Sequence, residues 1–257
     1  MTELRRAIFE LLASSGVDRR LAGGHDCFFE ALRNKIGSNY KRNLALQETW
    51  QMVGDGLIYI DIEQPGPGNW ELALTEKGKE ILKSGDDFNP YDPDGYLDRL
   101  KKRIPDIDDV VLLYAKESLR SFNSDCYLAA SVMLGVASEK AFLLLAESFG
   151  RWLPDGQSER FLKIVQDPRQ NFLAKFSEFR KRIEPCKSNI PPELSDNMAL
   201  MLDSVCDLIR IYRNESGHPT GKIVDRSDAF ITLQMFAIYL QKIFGLITFF
   251  RTSQKTA

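Results

Sequence analysis

Apolar positions recur at helical spacing over residues 4–13, again over 28–36 and again over 41–53. In the third segment Leu44, Leu46, Trp50 and Val53 are available to face inward. Gly54-Asp55-Gly56 then stops that helix, because glycine tolerates the left-handed conformation in which helices end. The pattern changes to β-formers over 57–62, breaks at Gln64-Pro65-Gly66-Pro67-Gly68-Asn69, and resumes as a return strand over 70–74. Thr75 is placed to cap a further helix that runs through Leu82. The predicted order is three helices, a strand, a turn, a strand and a helix.

Helix breakers and acids concentrate over 84–95, Ser-Gly-Asp-Asp-Phe-Asn-Pro-Tyr-Asp-Pro-Asp-Gly, which reads as a linker. Everything after it reads as helical. The expected segments are 96–103, 108–122, 126–149, 158–165, 169–182, 192–214 and 228–251. Asp125 is placed to cap the third of these, and Pro191-Pro192 suits the opening of the sixth. The expectation is a mainly α protein in two parts: a first domain over 1–83 with a small β-hairpin, the linker over 84–95, and an all-α antiparallel helical bundle over 96–252.

Composition changes this picture little. The chain has 257 residues, 44% hydrophobic and 27% charged, which suits one large domain or two modest ones. The longest apolar stretches, 128–149 and 236–250, are interrupted by Glu139, Lys140 and Lys242, so neither forms the roughly 18 uncharged residues of a membrane span. The opening Met1-Thr2-Glu3-Leu4-Arg5-Arg6 lacks the apolar core of a secretory signal, and the expectation is a cytoplasmic protein with no membrane partner. Cys27, Cys126, Cys186 and Cys206 are scattered, which excludes a metal site built on a two-residue spacer and disfavours a disulfide framework. With only His25 and His218, one chain cannot assemble a histidine-rich centre, so chemistry without metal or cofactor is favoured. The net charge is −2, with 11 basic against 14 acidic residues up to residue 88 and 23 against 22 beyond it. Neither half is a basic arm, so any nucleic-acid contact must come from a local patch or from an oligomer.

The chemistry concentrates in Arg213-Asn214-Glu215-Ser216-Gly217-His218-Pro219, where a long amphipathic helix is expected to end. Arginine holds a phosphate with a planar fork of donors and stays charged, while histidine exchanges a proton near neutrality. Residues five apart on an α-helix sit about 140° apart and do not share a face. Pro219 disfavours the helical conformation at His218, so the imidazole can turn back toward Arg213.

Two resemblances follow. The N-terminal order, with its Gly/Pro-rich hairpin tip and Thr75-Glu76-Lys77-Gly78-Lys79-Glu80-Ile81-Leu82, resembles a winged-helix domain. That resemblance implies that the helix over 41–53 holds the position used to enter a DNA groove, with Lys41 and Arg42 as its basic residues and Glu48 and Asp55 working against them. A winged helix used for protein contact or dimerisation fits the local charge equally. Residues 96–252 resemble the HEPN family (higher eukaryotes and prokaryotes nucleotide-binding domain), helical bundles whose ribonuclease members carry Arg, four to six residues, then His, with a polar residue after the Arg. Arg213, Asn214 and His218 match those positions.

The HEPN resemblance implies a metal-independent endoribonuclease in which two protomers join their motifs across a dimer interface. The RNA 2′-hydroxyl would attack the phosphorus, giving a 2′,3′-cyclic phosphate and a 5′-hydroxyl. His218 would be general acid or base, Arg213 would stabilise phosphoryl charge, and Asn214 would orient an oxygen or hold the arginine. A toxin or antiviral effector, with an antitoxin as a further partner, is the implied setting. The plainer reading gives Arg213 and His218 to the end of their own helix, as a dipole partner and a polar cap.

Glu139 shares a helical stripe with Val132, Gly135, Leu143 and Ala146, and an acid on an apolar stripe needs a partner. Arg210 or Arg213 would supply one and make Glu139 an orienting residue; the alternative is an edge position. His25 reads as a loop or cap residue, Tyr212 as core, and Phe236, Tyr239, Phe244, Phe249 and Phe250 as packing. The competing function is a non-catalytic dimeric DNA-binding regulator whose helical domain recognises a ligand or partner.

Overall fold

A computed structural model describes residues 2–21, 27–83, 88–208 and 223–253. The protein is mainly helical, with one small two-stranded antiparallel sheet, and divides into two compact units, Met1–Tyr96 and Leu97–Ala257.

In the first unit α1 (Glu3–Ala13), α2 (Phe28–Ile36) and α3 (Arg42–Gly54) precede β1 (Ile58–Asp61), β2 (Glu71–Leu74) and α4 (Glu76–Lys83). Thr2 caps α1 by accepting from the Arg5 amide at 3.1 Å, and Ile8, Phe9 and Leu12 on one face of that helix are buried with Phe28, Leu32, Met52 and Leu72. The strands pair in the register Ile58↔Leu74, Tyr59↔Ala73, Ile60↔Leu72 and Asp61↔Glu71. On the other edge of β2 the stretch around Arg20 bridges Glu71, with the Leu72 amide donating to the Arg19 carbonyl at 2.9 Å. The Thr75 hydroxyl oxygen accepts from the Gly78 amide at 3.1 Å and so caps α4, while the same hydroxyl donates to the Gly56 carbonyl at 2.7 Å.

Gly78 is where α4 closes onto the strand. A Cβ there would lie 2.1 Å from the Leu57 carbonyl oxygen, a backbone atom that cannot step aside. Gly78→Ala is therefore expected to destabilise the chain by about 1–3 kcal/mol. Urea unfolding followed by far-ultraviolet circular dichroism reads this, and an unchanged midpoint would show that α4 can lift away freely.

Two expectations for this unit change. The inward face of α3 is Ala45, Thr49 and Met52, all nearly fully buried, whereas Leu44, Leu46 and Trp50 are exposed at 46%, 36% and 61%. Positions 45, 49 and 52 follow the helical period, and the small Ala45 and self-bonded Thr49 let α3 approach α1 and β1 closely. The stretch expected as a linker is packed where it is described. Phe88 meets Tyr96 edge to face at 5.1 Å, the Lys77 ammonium lies 5.5 Å over the Tyr91 ring, and the Asn89 side chain accepts from the Tyr91 amide. A helix, α5 (Pro93–Arg103), already begins within that stretch and crosses the division between the units.

The second unit continues with α6 (Asp109–Asn123), α7 (Tyr127–Trp152), α8 (Asp155–Gln166), α9 (Phe172–Ile183), α10 (Pro192–Ser195), α11 (Met198–Leu208) and α12 (Arg226–Thr252). Its centre is α7, which packs on α6, α8, α11 and α12. Phe142, Leu145, Ala146, Phe149 and Trp152 recur at helical spacing and are buried. Phe142 meets Phe172, Phe176 and Phe179 of α9 at 5.2–5.4 Å, and Phe149 meets Phe161, Phe179 and Phe250 at 5.2–5.6 Å. The buried Ser118 hydroxyl of α6 donates to the Ala130 carbonyl of α7 at 2.7 Å and so is satisfied. Of the aromatic run in α12, Phe236, Phe244 and Phe250 are buried, and Tyr239 and Phe249 are part-exposed.

Asp125 does not cap α7. It adopts a left-handed conformation (φ 59°) and its carboxylate accepts from the Tyr127 hydroxyl at 2.6 Å, leaving Cys126 as a cap residue without a side-chain bond. The single helix expected over 192–214 is interrupted after Ser195, because Asn197 turns left-handed at φ 56° and α11 starts anew at Met198. Asparagine is among the few residues that accept this conformation at low cost. By length and composition α7 and α12 could each cross a membrane, despite the charges noted along them, but half of each apolar window is buried inside the fold.

Candidate functional site

Arg213, Asn214 and His218, together with Arg210, Tyr212 and Glu215, lie outside the described residues, as does His25. The flanking elements are described. Along α11 Met201, Leu202 and Val205 are buried, and the helix packs on both α7 and α12. An ion pair between Asp203 and Arg180 ties α11 to α9. Beyond the motif, Val224 is buried and Asp225 caps α12 by accepting from the Asp228 amide at 2.8 Å. In sequence, the seven motif residues lie between α11 and α12, two helices packed on α7.

Glu139 lies on α7 and is part-exposed. It lines an open cavity of about 490 Å³ together with Pro168, Arg169, Gln170, Asn171, Phe172, Leu173 and Lys175. The first turn of α9 forms the far wall. Asn171 caps that helix by accepting from the Ala174 amide at 2.9 Å, and the free amide hydrogens of the turn give the wall a partial positive charge. Arg169 is anchored to Asp167, whose carboxyl is held below the usual carboxylate range by the Arg169 side chain and then by its backbone amide. The cavity therefore sets one carboxylate against two cations and two side-chain amides, a lining suited to a polar ligand that carries both donors and negative charge. Arg169, Asn171 and Lys175 had no signal in the chain's pattern, since nothing local places the start of α9 opposite the middle of α7. The Arg210 and Arg213 partners expected for Glu139 lie outside the described residues. Among the described residues no three His, Cys, Asp or Glu side chains converge as metal ligands.

Lys41 and Arg42 stand at the start of α3, both exposed. The two acids expected to oppose them are tied down: the Arg5 guanidinium donates to Glu48 at 2.6 Å and to Asp55 at 2.9 Å. Burial alone would lower the Arg5 pKa, but the hydrogen bonds and charges of Glu48 and then Asp55 raise it above its ordinary value. Arg5 is a partner that sequence could not supply, lying 43 and 50 residues away. The exposed surface of α3 is thus basic at its start, and farther along it Leu44, Leu46 and Trp50 alternate with exposed Asn43, Gln47 and Gln51.

Compared with models of known protein families, with curated proteins and with solved structures, the chain matches none.

Proposed function

We propose that the chain is a metal-independent endoribonuclease of the HEPN type, with a winged-helix first unit and an antiparallel helical bundle as its second. The observation that carries this reading is the spacing Arg213-Asn214, three residues, His218, in the chain between α11 and α12. RNA supplies its own nucleophile. His218 takes the proton from the 2′-hydroxyl or returns one to the leaving 5′-oxygen, Arg213 stabilises the charge that grows on the phosphoryl oxygens, and Asn214 orients one of them. The substrate oxygen forms the new bond to phosphorus as the 5′-oxygen bond breaks, so no protein nucleophile is needed. Glu139, lining a polar cavity on α7, is the orienting residue in this scheme. A second copy completes the site, and the setting is a cytoplasmic toxin or antiviral effector, with an antitoxin as a candidate partner.

For the first unit, the exposed Leu44, Leu46 and Trp50 favour a protein partner over a DNA groove, with Lys41 and Arg42 at the rim. Were tight, sequence-selective DNA binding found without RNA cleavage, the chain would instead be a dimeric regulator.

Incubating the protein with a defined RNA in excess EDTA tests the reading. Fragments ending in 2′,3′-cyclic phosphate and beginning with 5′-hydroxyl are expected, with no cutting of DNA or of RNA carrying a single 2′-deoxy at the cleaved position. Cleavage that EDTA abolishes, or products with 5′-phosphate, would overturn it.

A further inference from the structure

Five positions of α12, Asp228, Ile231, Met235, Ile238 and Lys242, are spaced alternately three and four residues apart. At 100° per residue they fall within about 80° of one another, so they form one narrow seam along the helix. The three central side chains are apolar and open to solvent, at 55%, 40% and 55% exposure. A strict three-and-four spacing is the pattern by which one helix packs on another, not that of a helix resting on a broad core. The core face of α12 is separate and already filled by Leu233, Phe236, Leu240 and Ile243.

The ends of the seam name its occupant. Asp228 and Lys242 each lie seven residues from Met235, about 10 Å to either side. We infer that this face pairs with the same face of a second copy of the chain, antiparallel about a two-fold axis at Met235, with Asp228 of each protomer opposite Lys242 of its partner. Such an interface is self-complementary in charge as well as apolar in the middle, which is what two-fold symmetry demands of a single patch. Lys242 already donates to the Asp196 carbonyl at 3.1 Å, a bond that holds the ammonium at the rim while leaving it two further hydrogens. An anionic membrane surface fits less well, because Asp228 sits on the seam and the flanking charges are mixed in sign. A seam of three apolar side chains is smaller than a standard interface, so the dimer is weak and concentration-dependent.

Sedimentation velocity on the full chain over a roughly hundredfold concentration range around micromolar reads the association. Met235→Glu is expected to leave a monomer with unchanged circular dichroism and unfolding, since the side chain is exposed. Asp228→Lys and Lys242→Asp are each expected to weaken association roughly tenfold, and the double variant to restore it. The double variant separates pairing from local damage: loss of the acid in the first turn of α12 is not repaired by a change fourteen residues on. A wild type that stays monomeric, a Met235→Glu dimer as tight as wild type, no recovery in the double variant, or a monomer that uses these residues to bind phosphatidylserine vesicles would each overturn the inference. It rests on the reading that a second copy completes the site; because association is read without RNA, its failure is told apart from a failure of the cleavage test.

Discussion

His218→Ala is expected to reduce RNA cleavage by about 10²–10⁴-fold, the contribution of a positioned proton-transfer group. Arg213→Ala is expected to lose about 10²–10³-fold, by removing a donor aimed at the charge of the transition state. Arg213→Lys should not rescue it, because an ammonium cannot reproduce the planar fork that grips two phosphoryl oxygens together. Both losses should appear in single-turnover rates with saturating enzyme, which separates chemistry from RNA binding. Circular dichroism of each variant checks that the fold is intact. Equal cleavage by wild type and His218→Ala would sink the ribonuclease reading, whatever the oligomeric state.

Phe149→Ala is expected to cost about 3–5 kcal/mol, the largest stability effect of any single side chain discussed. Phe149 is fully buried on α7 and meets Trp152, Phe161 of α8, Phe179 of α9 and Phe250 of α12, with ring centroids 5.2–6.0 Å away. Truncation removes the transfer free energy of the ring and leaves a void that four elements border and cannot easily close. Phe149→Leu keeps most of the volume and should cost less than half as much. For a chain of this length each kcal/mol shifts the thermal midpoint by roughly 2–4 °C, so the alanine variant should melt roughly 6–20 °C below wild type. Calorimetry checks this. A shift below about 2 °C would mean that α7, α8, α9 and α12 do not depend on this ring.

Local features of the chain carried through wherever one residue type decided the geometry. Gly54 to Gly56 end α3, Thr75 caps α4, and the Gly/Pro-rich tip separates two strands that do pair. Asp125 and the helix expected over 192–214 departed from expectation, because a left-handed Asp125 and a left-handed Asn197 are choices the surrounding fold makes at small cost. The Arg213–His218 spacing is a property of the sequence alone: the proposed chemistry draws on side chains close together in the chain, and its test is the cleavage assay.

Sequence by itself determined the helical character of the chain and the place of the hairpin among the described residues, and it supplies the Arg213–His218 spacing on which the proposed chemistry rests, since all three depend on side-chain type and short-range spacing. Only the tertiary structure decided which face of each helix is covered. The third helix turns Ala45, Thr49 and Met52 inward and leaves Leu44 and Trp50 outside, Arg5 meets two acids more than forty residues away, and Glu139 faces the start of α9. An apolar pattern says that a face will be buried, but not against what or how closely, and when two faces are apolar it does not say which. In α12 that undecided second face, from Ile231 to Ile238, is left exposed.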